Sequence, residues 1–330
     1  VSSVEVIASP AVGSAAITSS GSHAAHKLWL GRFAKLTSIA TFLLILVGSL
    51  VTTTGSGLAV PDWPLSFGQF FPKMEGGVLY EHGHRMVAGA VGLLMTALAV
   101  WVWLIERRRT VRVLALVAWF AVVAQAILGG ITVLHKLPIA VSVSHAGLAM
   151  AFFSLTVTLA MMNSSSWQKP GQTKRRSLMP TGLSKVALST TALIYAQILV
   201  GALMRHMGAG LAIPDFPLSY GQLIPPLHAA SVAVHFAHRV GAVVVGLIIV
   251  YQYIRIRRDA STDAQLKRWG GYLVALFGVQ FLLGALTIWT MKSIVVTTAH
   301  VGVGALTLGL SLMVTLRAMR APAAVKLETA

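Results

Sequence analysis

Eight stretches of this chain run close to the ~20 apolar residues that carry a helix across a bilayer, and nothing else in the sequence restricts its fold as strongly. They extend approximately from Leu36 to Thr54, Glu81 to Leu104, Val113 to Leu134, Ile139 to Met162, Val186 to Met204, Val232 to Ile254, Trp269 to Met291 and Ile294 to Leu316. With 56% of residues apolar and only 11% charged, the chain reads as an all-α integral membrane protein with eight transmembrane helices.

The formal charge of +17 has its meaning in where the cations fall. With the amino terminus inside, 20 of the 26 basic residues lie on the inner side, among them Arg107, Arg108, Arg109 and Arg112, Lys174 to Arg176, and Arg255, Arg257 and Arg258. The positive-inside rule then places both termini in the cytoplasm and the chain in the inner (plasma) membrane. The basic excess calls for no nucleic-acid partner. Residues 1–22, rich in Ser, Ala and Val, read as a disordered tail, and the first span reads as a retained helix.

A tandem duplication organises the whole chain. The segment Gly57 to Gln69, GLAVPDWPLSFGQ, returns as Gly210 to Gln222, GLAIPDFPLSYGQ. His84 and Arg85 match His238 and Arg239, Gln125 with Gly129 and Thr132 match Gln280 with Gly284 and Thr287, and His145 matches His300, at offsets of 153 to 155 residues. An even number of spans per unit gives both halves the same orientation, so two four-helix bundles related by a pseudo-twofold axis along the membrane normal are expected. The expected organisation is a disordered cytoplasmic tail over 1–34, an amino-terminal bundle over 35–163, a cytoplasmic linker over 164–184, a carboxy-terminal bundle over 185–317 and a second cytoplasmic tail over 318–330.

His84, His145, His238 and His300 recur in this register. His145, His238 and His300 lie about six residues inside the outer end of their spans, roughly 9 Å deep at 1.5 Å per residue, and His84 slightly shallower. Two imidazoles per half, on helices running in the same direction, suit bis-histidine ligation of a haem held between helices. A single intramembrane histidine is as well explained by an interhelical hydrogen bond, but four in duplicate register are not. Zinc is disfavoured, since no reliable third ligand accompanies each pair. His82, His135, His206 and His228 fall in or beside outer loops, where solvated histidine is ordinary.

Glu81 precedes His84 by three residues, on the same helix face, and suits proton transfer at the mouth of the first site; a helix-capping or interfacial carboxylate is the plainer alternative. The second half has His235 at that place, a possible competitor of His238. The asymmetry hints that one site reacts and the other serves it. Arg85 and Arg239 suit haem propionates, with snorkelling to headgroups as the alternative. The two PD(W/F)P loops read as caps over the bundles, or Trp63 and Phe216 as interfacial anchors. Gln125, Gln197 and Gln280, each four residues before a glycine, read as interhelical hydrogen-bonding groups without chemistry.

The run Glu81-His82-Gly83-His84-Arg85, the duplicated GLA(V/I)PD(W/F)P loops and the later His145, His238 and His300 resemble the haem A synthase family, over about Leu28 to Arg317. The resemblance implies an eight-helix enzyme that oxidises the C8 methyl of haem O to a formyl group, giving haem A for cytochrome oxidase. It implies His84 and His145 as ligands of the substrate haem, Glu81 as the catalytic carboxylate, and His238 and His300 as ligands of a haem b cofactor. By that likeness the methyl is hydroxylated in two successive oxidations and the geminal diol loses water. Haem O synthase and oxidase assembly factors are candidate partners. Many members carry a cysteine pair in the first outer loop, whereas this chain has no cysteine, so any step depending on that pair is absent or met differently. The residues alone also permit a dihaem b-type electron-transfer cytochrome, or a transporter built from parallel repeats.

Overall fold

The computed structural model describes residues 13–168, 182–259 and 262–320. Most of the expected linker, 169–181, and the outermost parts of both tails, 1–12 and 321–330, lie outside them. Eight long helices dominate: α1 (Gly13–Thr53), α2 (Gly77–Ile105), α3 (Arg109–Leu134), α4 (Ile139–Met162), α6 (Gly182–His206), α7 (Ala230–Arg258), α8 (Ala264–Trp289) and α9 (Ile294–Ala318). The short α5 (Ser165–Gln168) and a 3₁₀ turn (Ala209–Leu211) complete the described elements. All eight are long and apolar enough to cross a membrane, and side chains such as Leu93, Leu104, Leu247 and Val295 are exposed on their outward faces, as expected of surfaces that meet lipid rather than water.

The boundaries follow local chemistry. Gly76 takes a positive φ of 54° at the entry to α2, Pro138 precedes α4 where a missing N–H costs nothing, and the Asp263 carboxylate accepts the Leu266 N–H to start α8. One boundary differs from expectation. Residues 13–34, placed in a disordered tail by their composition, are helical and continuous with the first span. Leu30 and Ala34 are buried in the first bundle, and Gly31 packs so closely on the end of α4 that an added Cβ would lie 2.4 Å from the Asn163 carbonyl oxygen.

Within the first half α1 packs on α2 and α4, and α3 on α2 and α4; within the second, α6 packs on α7 and α9, and α8 on α7 and α9. Each half is therefore a closed ring of four helices. The halves meet through α1 on α9, α4 on α6 and α4 on α9, and exchanging the repeats maps this set onto itself. The same holds for side chains. Leu199 of α6 lies over Gly147 of α4, where a Cβ would come 2.8 Å from Leu199 Cδ2, and Leu46 of α1 lies over Gly302 of α9, at 2.5 Å. Arg205 of α6 adds a polar clamp, donating to the Ser49 carbonyl at 2.7 Å and to Ser49 Oγ at 3.2 Å, with Thr53 Oγ1 also in reach. Helix α9, at the centre of this contact, is the most enclosed span: half of its apolar window is buried against 17–33% for the others.

Candidate functional site

Each of the four histidines is seated in the same way, on a glycine of the preceding helix. A Cβ at Gly48 of α1 would lie 2.9 Å from Cε1 of His84, one at Gly129 of α3 3.0 Å from Cε1 of His145, one at Gly201 of α6 2.8 Å from Cε1 of His238, and one at Gly284 of α8 3.2 Å from Cε1 of His300. The bare glycine backbone makes room for an imidazole at the helix contact. No larger residue leaves that space. His84 lies within electrostatic reach of His145, and His300 within reach of His238, while His145 is also within reach of His206 of α6. His84 is also not shallower than the rest: because α2 begins at Gly77, it lies seven residues inside the helix start (84 − 77), compared with eight for His238, six for His145 and six for His300.

The glutamines belong to these seats. Nε2 of Gln197 donates to the His238 carbonyl at 2.7 Å and lies 3.0 Å from its Nδ1. Gln125 does the same for His145, at 2.9 Å to the carbonyl and 3.3 Å to Nε2, and Gln280 reaches Nε2 of His300 at 3.4 Å. The sequence marked these glutamines as helix glue without chemistry; a spacing of four residues from each seating glycine was the available sign of their link to histidine. Gly48 escaped notice because the position four residues before it is Leu44, not glutamine.

One turn before His84 on α2, Glu81 is buried and fully engaged: Oε2 accepts the Val60 N–H at 2.9 Å and Oε1 pairs with Arg85 at 2.7 Å. His235 takes the equivalent seat in the second half. Its Nδ1 accepts the Ile213 N–H at 3.2 Å, so in that tautomer Nε2 carries the proton and lies 3.3 Å from Arg239 Nε; the ring is tied to its cap loop as Glu81 is. Glu81 is thus neither a solvated interfacial acid nor a helix cap.

Arg85 and Arg239 face the cap loops. Arg85 donates to the carbonyls of Asp62 and Leu65, both at 2.7 Å, and Arg239 to those of Leu218, Ile213 and Asp215, at 2.8, 3.1 and 2.7 Å. Neither is a bare cation or a snorkelling side chain. The loops themselves fold alike. The Asp62 carboxylate accepts the N–H groups of Phe67 and Gly68 at 2.7 and 2.8 Å, and Asp215 accepts those of Tyr220 and Gly221 at the same distances. These bonds, led by that from glycine in each loop, hold both carboxyls below the ordinary aspartate value of 3.8. Trp63 lies flat on α3, where a Cβ at Gly130 would meet its ring at 2.6 Å, and Phe216 packs edge-on against Phe281 and Trp289. Both aromatics pack against helices of their own bundle, Trp63 with 38% of its surface still exposed. His82, expected to be solvated, is buried and bonded through Nδ1 to Ser66 Oγ at 2.7 Å.

Three buried hydroxyls passed unnoticed in the sequence. Ser142 and Thr297, each one turn before the second histidine of its half, and Thr298 beside the latter have hydroxyl oxygens without a partner among the described residues. So do Nδ1 of His84, His145 and His300. Buried polar atoms of this kind need a ligand or water to satisfy them. No group of three or more His, Cys, Asp or Glu that would hold a bare metal ion occurs among the described residues.

Residues 31–312 match the model of the COX15-CtaA family, described as cytochrome oxidase assembly protein. The chain belongs to this family. Among its curated relatives, haem A synthase of Symbiobacterium thermophilum is 33% identical over 262 residues, covering 77% of this chain and 84% of the relative. Haem A synthase of Halalkalibacterium halodurans is 30% identical over 274 residues, 81% and 90% of the two chains, and that of Bacillus cereus is 30% identical over 279 residues, 82% and 86%. Family membership thus spans both bundles and all four histidine seats.

Proposed function

We propose that this protein is a haem A synthase, an oxidoreductase that converts the C8 methyl of haem O to the formyl group of haem A. The relatives named above support the activity. The observation that supports this division of roles is the unequal occupancy of one matched seat: Glu81 in the first half, His235 in the second, each accepting the matching loop N–H, of Val60 and of Ile213. Two electron-transfer sites would have no need of that difference. A reacting site and a serving site would.

On this reading His84 and His145 hold substrate haem O, and His238 and His300 hold a haem b cofactor. The residues fit such groups: paired imidazoles in glycine seats, with buried nitrogens and the Ser142 and Thr297 hydroxyls in want of partners. Haem b would supply one-electron redox chemistry to the substrate site. Glu81 takes up a proton released as the methyl group is oxidised, on an oxygen now shared with Arg85, whose charge stabilises the carboxylate beforehand. Arg85 and Arg239 are available to propionates through their field more than through free N–H groups, which the loop carbonyls occupy. The reciprocal contacts of the halves support a pseudo-twofold axis along the membrane normal, and the cation distribution supports a cytoplasmic location of both termini in the inner membrane. The first bundle, through about residue 163, is then the substrate half, and the second, from about residue 185, the cofactor half.

Expression in a host that makes haem O, followed by chromatography of the extracted pigments, tests the proposal. A formyl-bearing haem that appears only with the protein is expected. Recovery of haem b and unaltered haem O alone would reduce the chain to a dihaem cytochrome, and a colourless protein would point to transport.

A further inference from the structure

The amide that secures His238 has no counterpart at His84. The repeat register puts Leu44 where Gln197 stands, and Nδ1 of His84 is buried without a partner among the described residues. The difference is built in twice. Gln197 fits beside His238 because Gly241, one turn further along α7, has no side chain: a Cβ there would lie 2.1 Å from Gln197 Oε1. The matching position after His84 is Val87. A glutamine at position 44 would therefore meet a branched side chain where Gln197 meets bare backbone.

Resting on the assignment of the first half to the substrate, we propose that Gln197 is a latch that keeps a resident porphyrin on His238, and that the Leu44 and Val87 pair leaves His84 as the releasable ligand through which porphyrin substrate enters and product leaves. An imidazole whose ring nitrogen is tied to the neighbouring helix, by an amide itself anchored on the His238 main-chain carbonyl, cannot turn without losing a hydrogen bond that an apolar interior does not replace. His84 turns without that loss. Gln197 is thus a positioning residue: the first half keeps one glutamine tie, Gln125 on His145, the second has two, Gln197 on His238 and Gln280 on His300, and the untied imidazole sets the faster exchange.

Transfer of haem from the loaded full-length protein to apomyoglobin, followed in the Soret band with the pigments separated by chromatography, reads both rates. Wild-type protein is expected to give up haem O or haem A in a fast phase and haem b in a slow one. Leu44→Gln combined with Val87→Gly should slow the fast phase about ten-fold, the size of one net hydrogen bond, while Leu44→Gln alone should not. Gln197→Leu and Gly241→Val should each speed the slow phase by a similar factor. Unchanged rates in Gln197→Leu and Gly241→Val, with both pigments still bound, would overturn the latch, and these two carry the test if the double variant does not fold. A protein that binds no porphyrin would overturn the functional reading beneath it instead.

Discussion

Glu81 does two jobs that a single substitution separates. It anchors the first cap loop through Val60 and Arg85, and on the proposed mechanism it moves a proton. His235 performs the first job in the second half with an imidazole. Glu81→His should therefore keep the loop seated and the protein folded, yet lower haem A formation by roughly 10²–10⁴, the usual worth of a positioned acid or base. Glu81→Ala should lose activity equally and also leave the Val60 N–H buried and unpaired, at a cost of about 1–3 kcal/mol, read as a lower melting temperature in detergent. Full activity in Glu81→His would remove the carboxylate from the chemistry. At this scale the four histidine seats were legible in the sequence because duplication repeats them in register, and Glu81 stood out because the repeat breaks there, to His235. The sequence did not carry the engagement of Arg85 and Arg239 with loop carbonyls, since a backbone acceptor leaves no trace in residue identity.

Among the elements, the cap loops combine sequence legibility with a pH dependence. Their repetition was plain from the thirteen matched positions, but the burial of His82 and the seating of Trp63 on Gly130 depend on how the loop folds back over α2 and α3. Asp62 and Asp215 organise that fold with carboxyls held below 3.8. For a depressed value the stabilisation is complete above the ordinary pKa and lost as pH falls through the lowered one. Amide hydrogen exchange at Phe67, Gly68, Tyr220 and Gly221 should thus be slow and pH-independent, once corrected for intrinsic rates, above 3.8 and should accelerate below it. In Asp62→Ala, exchange at Phe67 and Gly68 should be fast at every pH. Equal protection in that variant would show that the carboxylate does not hold the turn. The start of α1 was the element misjudged from sequence: polar and small residues near the amino terminus look like a tail, and only the contact of Leu30, Gly31 and Ala34 with the first bundle explains why the helix continues through them.

For the whole molecule, the two bundles are held by reciprocal small-residue contacts and by the Arg205 clamp on α1. A chain cut within residues 169–181 and expressed as two halves should reassemble in the membrane through α1 on α9 and α4 on α6 and α9. Arg205→Ala should reduce recovery of the pair, because interhelical polar contacts in lipid are worth about 0.6–1.7 kcal/mol each and this residue makes several. Copurification unaffected by Arg205→Ala would assign the association to the glycine contacts alone. Histidine substitution tests the central claim most directly: haem content and low-spin electron paramagnetic resonance signals of the purified protein, compared with His84→Ala, His145→Ala, His238→Ala and His300→Ala. The account predicts bis-imidazole signals in the unaltered protein, loss of haem b with retention of haem O in the last two variants, and the converse in the first two. Both pigments at full occupancy with unchanged signals in all four variants would contradict it.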